Sequence, residues 1–289
     1  MKYGKLAPVR PAGLKDLDAY FTSPLPAPPA AVKPPGVKNW GMLGNGPDPS
    51  VTWTGDGFDN SQGCGDCTKA GEAHAYDALT WDEGLKEALH HPSSNQVVSA
   101  YFAESGGQDT GLACGDVLQK AYHVGAFGQK IDGYGVFDHN NQSLIKQVVA
   151  TFGVVYIGIQ CPASAQQQAM NDETWSVVPG SPIEGGHCII IVGYDDAEGV
   201  FYIVSWGQVF KATYAFIAKY IDEAWALIAP AIATKGKFDN VDLVALQADL
   251  PKFTQNHDMT TVTTDSLAAR VEHVAEVTLA DAEDVLRHL

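Results

Sequence analysis

The chain has 289 residues, of which 45% are hydrophobic and 10% aromatic, enough apolar material for a substantial globular core. A formal charge of −16 argues against a nucleic-acid partner, because phosphate neutralisation needs clustered Lys and Arg. No apolar run approaches the roughly 18 residues of a membrane span. The plain reading of the acidity is solubility, with a basic partner as the other.

In chain order, residues 1–40 form an N-terminal arm rich in proline and alanine, including Pro24-Leu25-Pro26-Ala27-Pro28-Pro29 and Pro34-Pro35. Such composition favours extended chain, solvent-exposed or draped over a surface, with one short helical turn at Asp16 to Phe21. Met1-Lys2-Tyr3-Gly4-Lys5 begins basic without the apolar segment of a signal peptide, which implies a cytoplasmic protein, or a particle component if the chain is an assembly part. Gly44 to Asn60 reads as a loop. It leads into Gln62-Gly63-Cys64-Gly65-Asp66-Cys67, a glycine-containing turn that delivers a cysteine to the start of a helical run. Amides at a helix N-terminus lower a thiol pKa, and the thiolate is the attacking species. Cys64-x-x-Cys67 also has the spacing of a redox or zinc pair, but no second such pair accompanies it, so no metal and no cofactor are expected.

The spacing of Ala70, Ala73, Leu79 and Leu85 predicts a helix from Thr68 to Leu89, with His90-His91 at its end. Further helical pieces are expected at Asn95 to Phe102, Val117 to Tyr122 and Asn141 to Thr151. Strands then dominate, at Val154 to Ile159, Cys188 to Val192 and Val200 to Ser205. Ala212 to Ala229 is aromatic and alanine-rich and reads as strand, helix or both. In the tail, Ser266 to Leu289 carries an imperfect helical stripe, with Thr278 as an N-cap ahead of Asp281-Ala282-Glu283. Gly185-Gly186-His187-Cys188, ahead of an apolar run and Gly193-Tyr194-Asp195, sets a histidine at the mouth of a buried strand, where it could serve a nucleophilic cysteine as base. His74 is read as a helix-surface or core residue, and Cys161 and Cys188 as core.

Together these segments resemble the papain-like cysteine peptidases. That family's nucleophile run reads roughly Gln-Gly-x-Cys-Gly-Ser-Cys-Trp; here it is one residue shorter, with Asp66 for Ser and Thr68 for Trp. The family's Gly-Gly-His segment is matched almost in full by Gly185 to Tyr194, and its Asn-Ser-Trp-Gly by Ser205-Trp206-Gly207, with Val204 in place of Asn. Gly111 to Gly115 looks like the family's cysteine-glycine turn, and Ala150 to Ile159 like its Gly-Pro-Val strand. The likeness runs from about Asn60 to Ile228.

The resemblance implies an α+β, papain-like two-lobed fold, with a helical N-terminal lobe, a β-rich C-terminal lobe and an active-site cleft between them. The expected divisions are 1–40 arm, 41–230 papain-like domain and 231–289 largely helical extension. The arm is unlike the helical inhibitory prosegment of the family, so a divergent member without a prosegment is expected. By resemblance Cys67 is the nucleophile, His187 the base, Trp206 a shield against water, and Gln62 an oxyanion donor for which Asn60 is a substitute. Val204 cannot hold the histidine, which leaves Ser205 or a backbone carbonyl to do so. A Cys64–Cys114 disulfide is implied by the resemblance; in a reducing compartment both would stay free. The implied activity is that of a thiol hydrolase, a peptidase or amidase acting on a peptide or amide substrate, with acyl transfer as a variant. The rival is a non-catalytic structural or assembly protein on the same scaffold, such as a phage-particle or surface-complex component. It would use the arm and the C-terminal helix to hold protein partners.

Overall fold

The computed structural model describes residues 2–54, 58, 60–82, 86–228 and 240–250. Helix α1 (Cys67–Leu79) starts at the cysteine itself and is buried on all sides except at Ala78. A helix buried all round must satisfy its polar side chains internally. Lys69 pairs with Glu72 and, at 2.8 Å, with Glu104, while Asp77 pairs with His91 at 2.7 Å. His74 Nε2 lies 2.9 Å from the Trp40 carbonyl oxygen and 3.1 Å from that of Gly41. The helix ends ten residues earlier than its periodicity suggests: the Thr80 hydroxyl donates to the Tyr76 carbonyl at 2.7 Å, and a short hairpin of β2 (Trp81–Asp82) and β3 (Glu87–Ala88) follows. His90 and His91 therefore follow a strand and do not cap a helix.

Two helices complete the first lobe. Helix α2 (Ser94–Glu104) opens on a capping box in which Ser93 and Gln96 satisfy each other's backbone amides. Helix α3 (Cys114–His123) carries Cys114 at its first position. The second lobe is an antiparallel sheet of β4 (Gly133–Val136), β9 (Ile221–Ile228), β5 (Val155–Pro162), β6 (Ile183–Asp195), β7 (Val200–Ser205) and β8 (Gln208–Thr213), in that spatial order. Helix α4 (Gln142–Phe152) covers it and stops at Gly153, whose φ of 90° only glycine adopts without strain. Helix α5 (Ala163–Met170) follows β5, and the ambiguous stretch resolves into both forms, helix α6 (Tyr214–Tyr220) and then β9. Helix α7 (Leu243–Asp249) is the last described element. The proposed tail helix from Ser266 lies outside the described residues. A helical lobe followed by a β-rich lobe is the α+β arrangement expected.

The arm is draped over its own body. Leu14, Leu17, Tyr20 and Leu25 are buried, and β1 (Ala31–Val32) adds to the sheet beside β6. Among the described residues, no helix is long and apolar enough to cross a membrane.

Candidate active site

Asn45, Cys67, His74, His187, Ser205 and Trp206 line one small crevice where α1 meets the sheet. Strand pairing sets the histidine: β6 lies between β5 and β7, with His187 opposite Ile159. Cys188, the residue after His187, lines the same crevice as Cys67, which sets the helix start against that strand.

The β7–β8 hairpin turns on Trp206 and Gly207, with φ values of 44° and 81°. Positive φ at both central residues is the signature of a tight hairpin turn whose twist suits the flanking strands. For a residue as bulky as tryptophan this conformation is strained. It brings the indole and the neighbouring Ser205 to His187. The indole stacks on His187 with ring centroids 5.0 Å apart and planes at 21°, and the Ser205 hydroxyl stands 2.8 Å from His187 Nε2. His187 Nδ1 is buried and without a hydrogen-bond partner. The missing asparagine thus has a hydroxyl near its place, one residue later in sequence.

Gln62 is exposed on the turn before Cys67 and does not line the crevice. Asn60 is tied into its own loop, its amide donating to the Val51 carbonyl at 3.0 Å. The side-chain amide that does line the crevice belongs to Asn45, which the motif reading missed. It donates to the Lys2 carbonyl oxygen at 3.1 Å. No motif pointed to it, because it comes from the Gly44 to Asn60 loop, brought in when Cys64 N–H donates to the Gly44 carbonyl at 2.8 Å. Cys64 and Cys114 are both free and buried, as are the other cysteines.

The first residues of the arm pack beside the crevice, with Tyr3 edge-on to both His187 and Trp206, a placement their composition did not suggest. The Gly4 backbone N–H lies near enough to favour a Cys67 thiolate, though burial outweighs it, and the Tyr3 ring meets His187 edge-on with centroids 5.7 Å apart. Contact is so close that a β-carbon on Gly4 would stand 1.6 Å from the Gly65 carbonyl oxygen. Cys67 and His187 are both buried. Burial pushes the Cys67 thiol up to about 12, and burial, with His74 nearby, takes His187 down to about 3. Thiol and imidazole are both neutral in this arrangement.

His74 is likewise held near 4, chiefly by burial. A histidine depressed in the folded state contributes stability that is complete above its unfolded value of about 6.5 and is lost as pH falls through about 4. Buried Glu72, near 7, and Asp77, near 6, work in the opposite sense. A comparison with His74→Gln isolates the histidine. The stability gap between wild type and variant in urea unfolding should shrink by up to about 1.4 kcal/mol per pH unit between pH 6.5 and 4. A constant gap would show that His74 does not titrate in this way.

The sequence matches no protein-family model, and no curated protein matches it. Solved structures do. Xylellain, a cysteine protease from Xylella fastidiosa, superposes with a TM-score of 0.53 over 78% of this chain and 96% of its own, at 15% identity. The fold is papain-like. More distant superpositions include procathepsin B S9 from Trypanosoma congolense, with a TM-score of 0.44 over 78% of this chain and 86% of its own at 11% identity. Another is the Carica candamarcensis cysteine protease CMS1MS2, at 0.32 over 70% and 99% with 16% identity. At such identity the likeness establishes the papain-like architecture, and the chain is a divergent example of it.

Proposed function

We propose that this protein is a thiol hydrolase of peptide or amide bonds, with Cys67 as nucleophile and His187 as its base. The observation that supports this most directly is the joint setting of the two side chains: the thiol at the first position of α1, and beside it a histidine stacked by Trp206 with Ser205 on Nε2. In that arrangement Nδ1 is left to exchange a proton with the thiol. Cys67 adds to the carbonyl carbon, the developing oxyanion is met by the Asn45 amide and the Cys67 backbone N–H, and His187 returns the proton to the leaving amine. Water then attacks the acyl-thioester with His187 as base. Ser205 acts as a positioning residue that fixes the ring and its tautomer.

The arm must leave the thiol for this chemistry to start. Gly4→Val achieves that within the full chain, because its side chain has no room beside Gly65. In a panel of fluorogenic peptidyl amides, Gly4→Val protein should show hydrolysis that disappears with Cys67→Ala. Hydrolysis that survives Cys67→Ala would overturn the assignment. No turnover across the panel, with Cys67 alkylating no faster than an ordinary thiol, would favour the non-catalytic scaffold. The neutrality of the covered pair is the observation on that rival's side.

A further inference from the structure

Residues 2–6 run beside the crevice and are held through their backbone, as an extended peptide ligand would be. Both lobes hold their backbone. Leu112 N–H donates to the Gly4 carbonyl at 2.9 Å, Leu6 N–H to the Leu112 carbonyl at 3.0 Å, and Lys5 N–H to the Gly186 carbonyl, immediately before His187, at 3.1 Å. Lys2 Nζ reaches Asp109 at 3.1 Å, and Asp109 in turn accepts from Gly65 N–H at 2.8 Å.

The side chain of Lys5 is the informative part. It is wholly buried, although lysine is almost never so unless paired. Its Nζ lies 3.0 Å from Asp222 Oδ2, 3.1 Å from Glu223 Oε1 and 3.0 Å from the Leu6 carbonyl. Burial opposes its charge, but the Glu223 and Asp222 carboxylates outweigh that, and its pKa stands above the usual lysine value.

The acids are held by the body of the protein and not only by the arm. Glu223 Oε2 accepts from Trp225 Nε1 at 2.8 Å, and Asp222 Oδ2 accepts from Gln160 Nε2 at 2.6 Å. Space for the lysine comes from Gly158 on β5, where a β-carbon would stand 1.9 Å from Lys5 Cε. With the arm withdrawn, Glu223 and Asp222 would be left without their cation. A pocket of this kind favours another cation.

We propose that Asp222, Glu223 and Gly158 form a specificity subsite for a lysine side chain of peptide ligands, and that residues 2–6 occupy it as a tethered self-ligand. The inference rests on the reading of the crevice as a peptide-binding cleft. It adds the substrate class: peptides carrying a lysine that reaches this acidic pocket. Tethering makes the arm an effective competitor without tight intrinsic binding, because its local concentration is on the order of millimolar.

The test is binding and not turnover, so its outcome is separate from that of the catalytic reading. Fluorescein-labelled Lys-Tyr-Gly-Lys-Leu, the sequence of residues 2–6, and the same peptide with norleucine for the second lysine are titrated by anisotropy. The hosts are Cys67→Ala, Cys67→Ala with Gly4→Val, and that double variant with Glu223→Gln. The double variant should bind the lysine peptide at least about tenfold tighter than Cys67→Ala alone, and at least about tenfold tighter than the norleucine peptide. Glu223→Gln should remove most of that preference. Equal binding of the two peptides, or a preference untouched by Glu223→Gln, overturns the subsite. Should Gly4→Val fail to fold by circular dichroism, Lys5→Ala serves as the arm-weakened host, with the same outcomes required. Loss of hydrolysis with retained lysine preference would sink the catalytic reading alone.

Discussion

Replacing His187 by Ala in the Gly4→Val protein should lower kcat/KM for a peptidyl amide by about 10²- to 10⁴-fold, the usual worth of a positioned general acid–base. The same change should alter the chemistry of the thiol. An ordinary cysteine with a pKa near 8.5 is about 0.03% ionised at pH 5. A thiolate paired with imidazolium is mostly ionised there, although its lower basicity also makes it a softer attacker. Alkylation of Cys67 by iodoacetamide at pH 5 should therefore fall by about tenfold or more in His187→Ala. A purely structural histidine would reduce turnover through misfolding but would not move the pH profile of one thiol. In the covered protein the same alkylation should be slow at every pH below 9, because burial holds Cys67 near 12 and His187 near 3.

The second large effect belongs to Asn45. Its side-chain amide lines the crevice and already donates to the carbonyl oxygen of Lys2, the kind of contact an oxyanion donor makes. Loss of one such donor typically costs about 10²- to 10³-fold in kcat. Asn45→Ala in the Gly4→Val protein should lose that much turnover, while alkylation of Cys67 stays within about twofold, since alkylation develops no oxyanion. If Gln62→Ala shows the loss and Asn45→Ala does not, the motif assignment of Gln62 stands and the placement of Asn45 is incidental.

The contrast between Asn45 and Gln62 shows how far the sequence carries. Local segments were legible because each has its own chemistry. Helices expected at Asn95 to Phe102 and Asn141 to Thr151 appear as α2 and α4, and the apolar run after His187 is a central strand buried through Val192. Order along the chain gave the α+β class for the same reason. Helix α1 was harder. Its Lys69 and Glu72 form a buried ion pair that Glu104 of another helix completes, a partner that helical spacing cannot reveal. Periodicity also ran past Leu79, because Leu85 continues the helical spacing while the Thr80 cap and Trp81 break it.

The arm was the largest departure. Proline content does mark extended chain, and the chain is extended. What composition cannot say is where an extended segment lies, which here depends on Lys5 finding Asp222 and Glu223 more than two hundred positions away. Glycine supplies the rest of the answer: Gly4 meets Gly65, and Gly186 meets the Lys5 carbonyl, where a β-carbon would stand 2.2 Å from that oxygen. These are close-approach glycines, and their partners are visible only in three dimensions. Ser205 lies between the two cases. The motif named it as a stand-in for asparagine, and the positive φ of Trp206 explains how a hydroxyl one position late comes to lie on Nε2.

Trapping the acyl intermediate tests the central claim most directly. Gly4→Val protein is mixed with the p-nitrophenyl ester of an N-acylated lysine, quenched in acid within seconds, and examined by intact mass and peptide mapping. The account predicts one acyl group, carried by Cys67, that accumulates before steady state and is absent in Cys67→Ala. Steady hydrolysis with Cys67 unmodified, or with the acyl group on another cysteine, would contradict it.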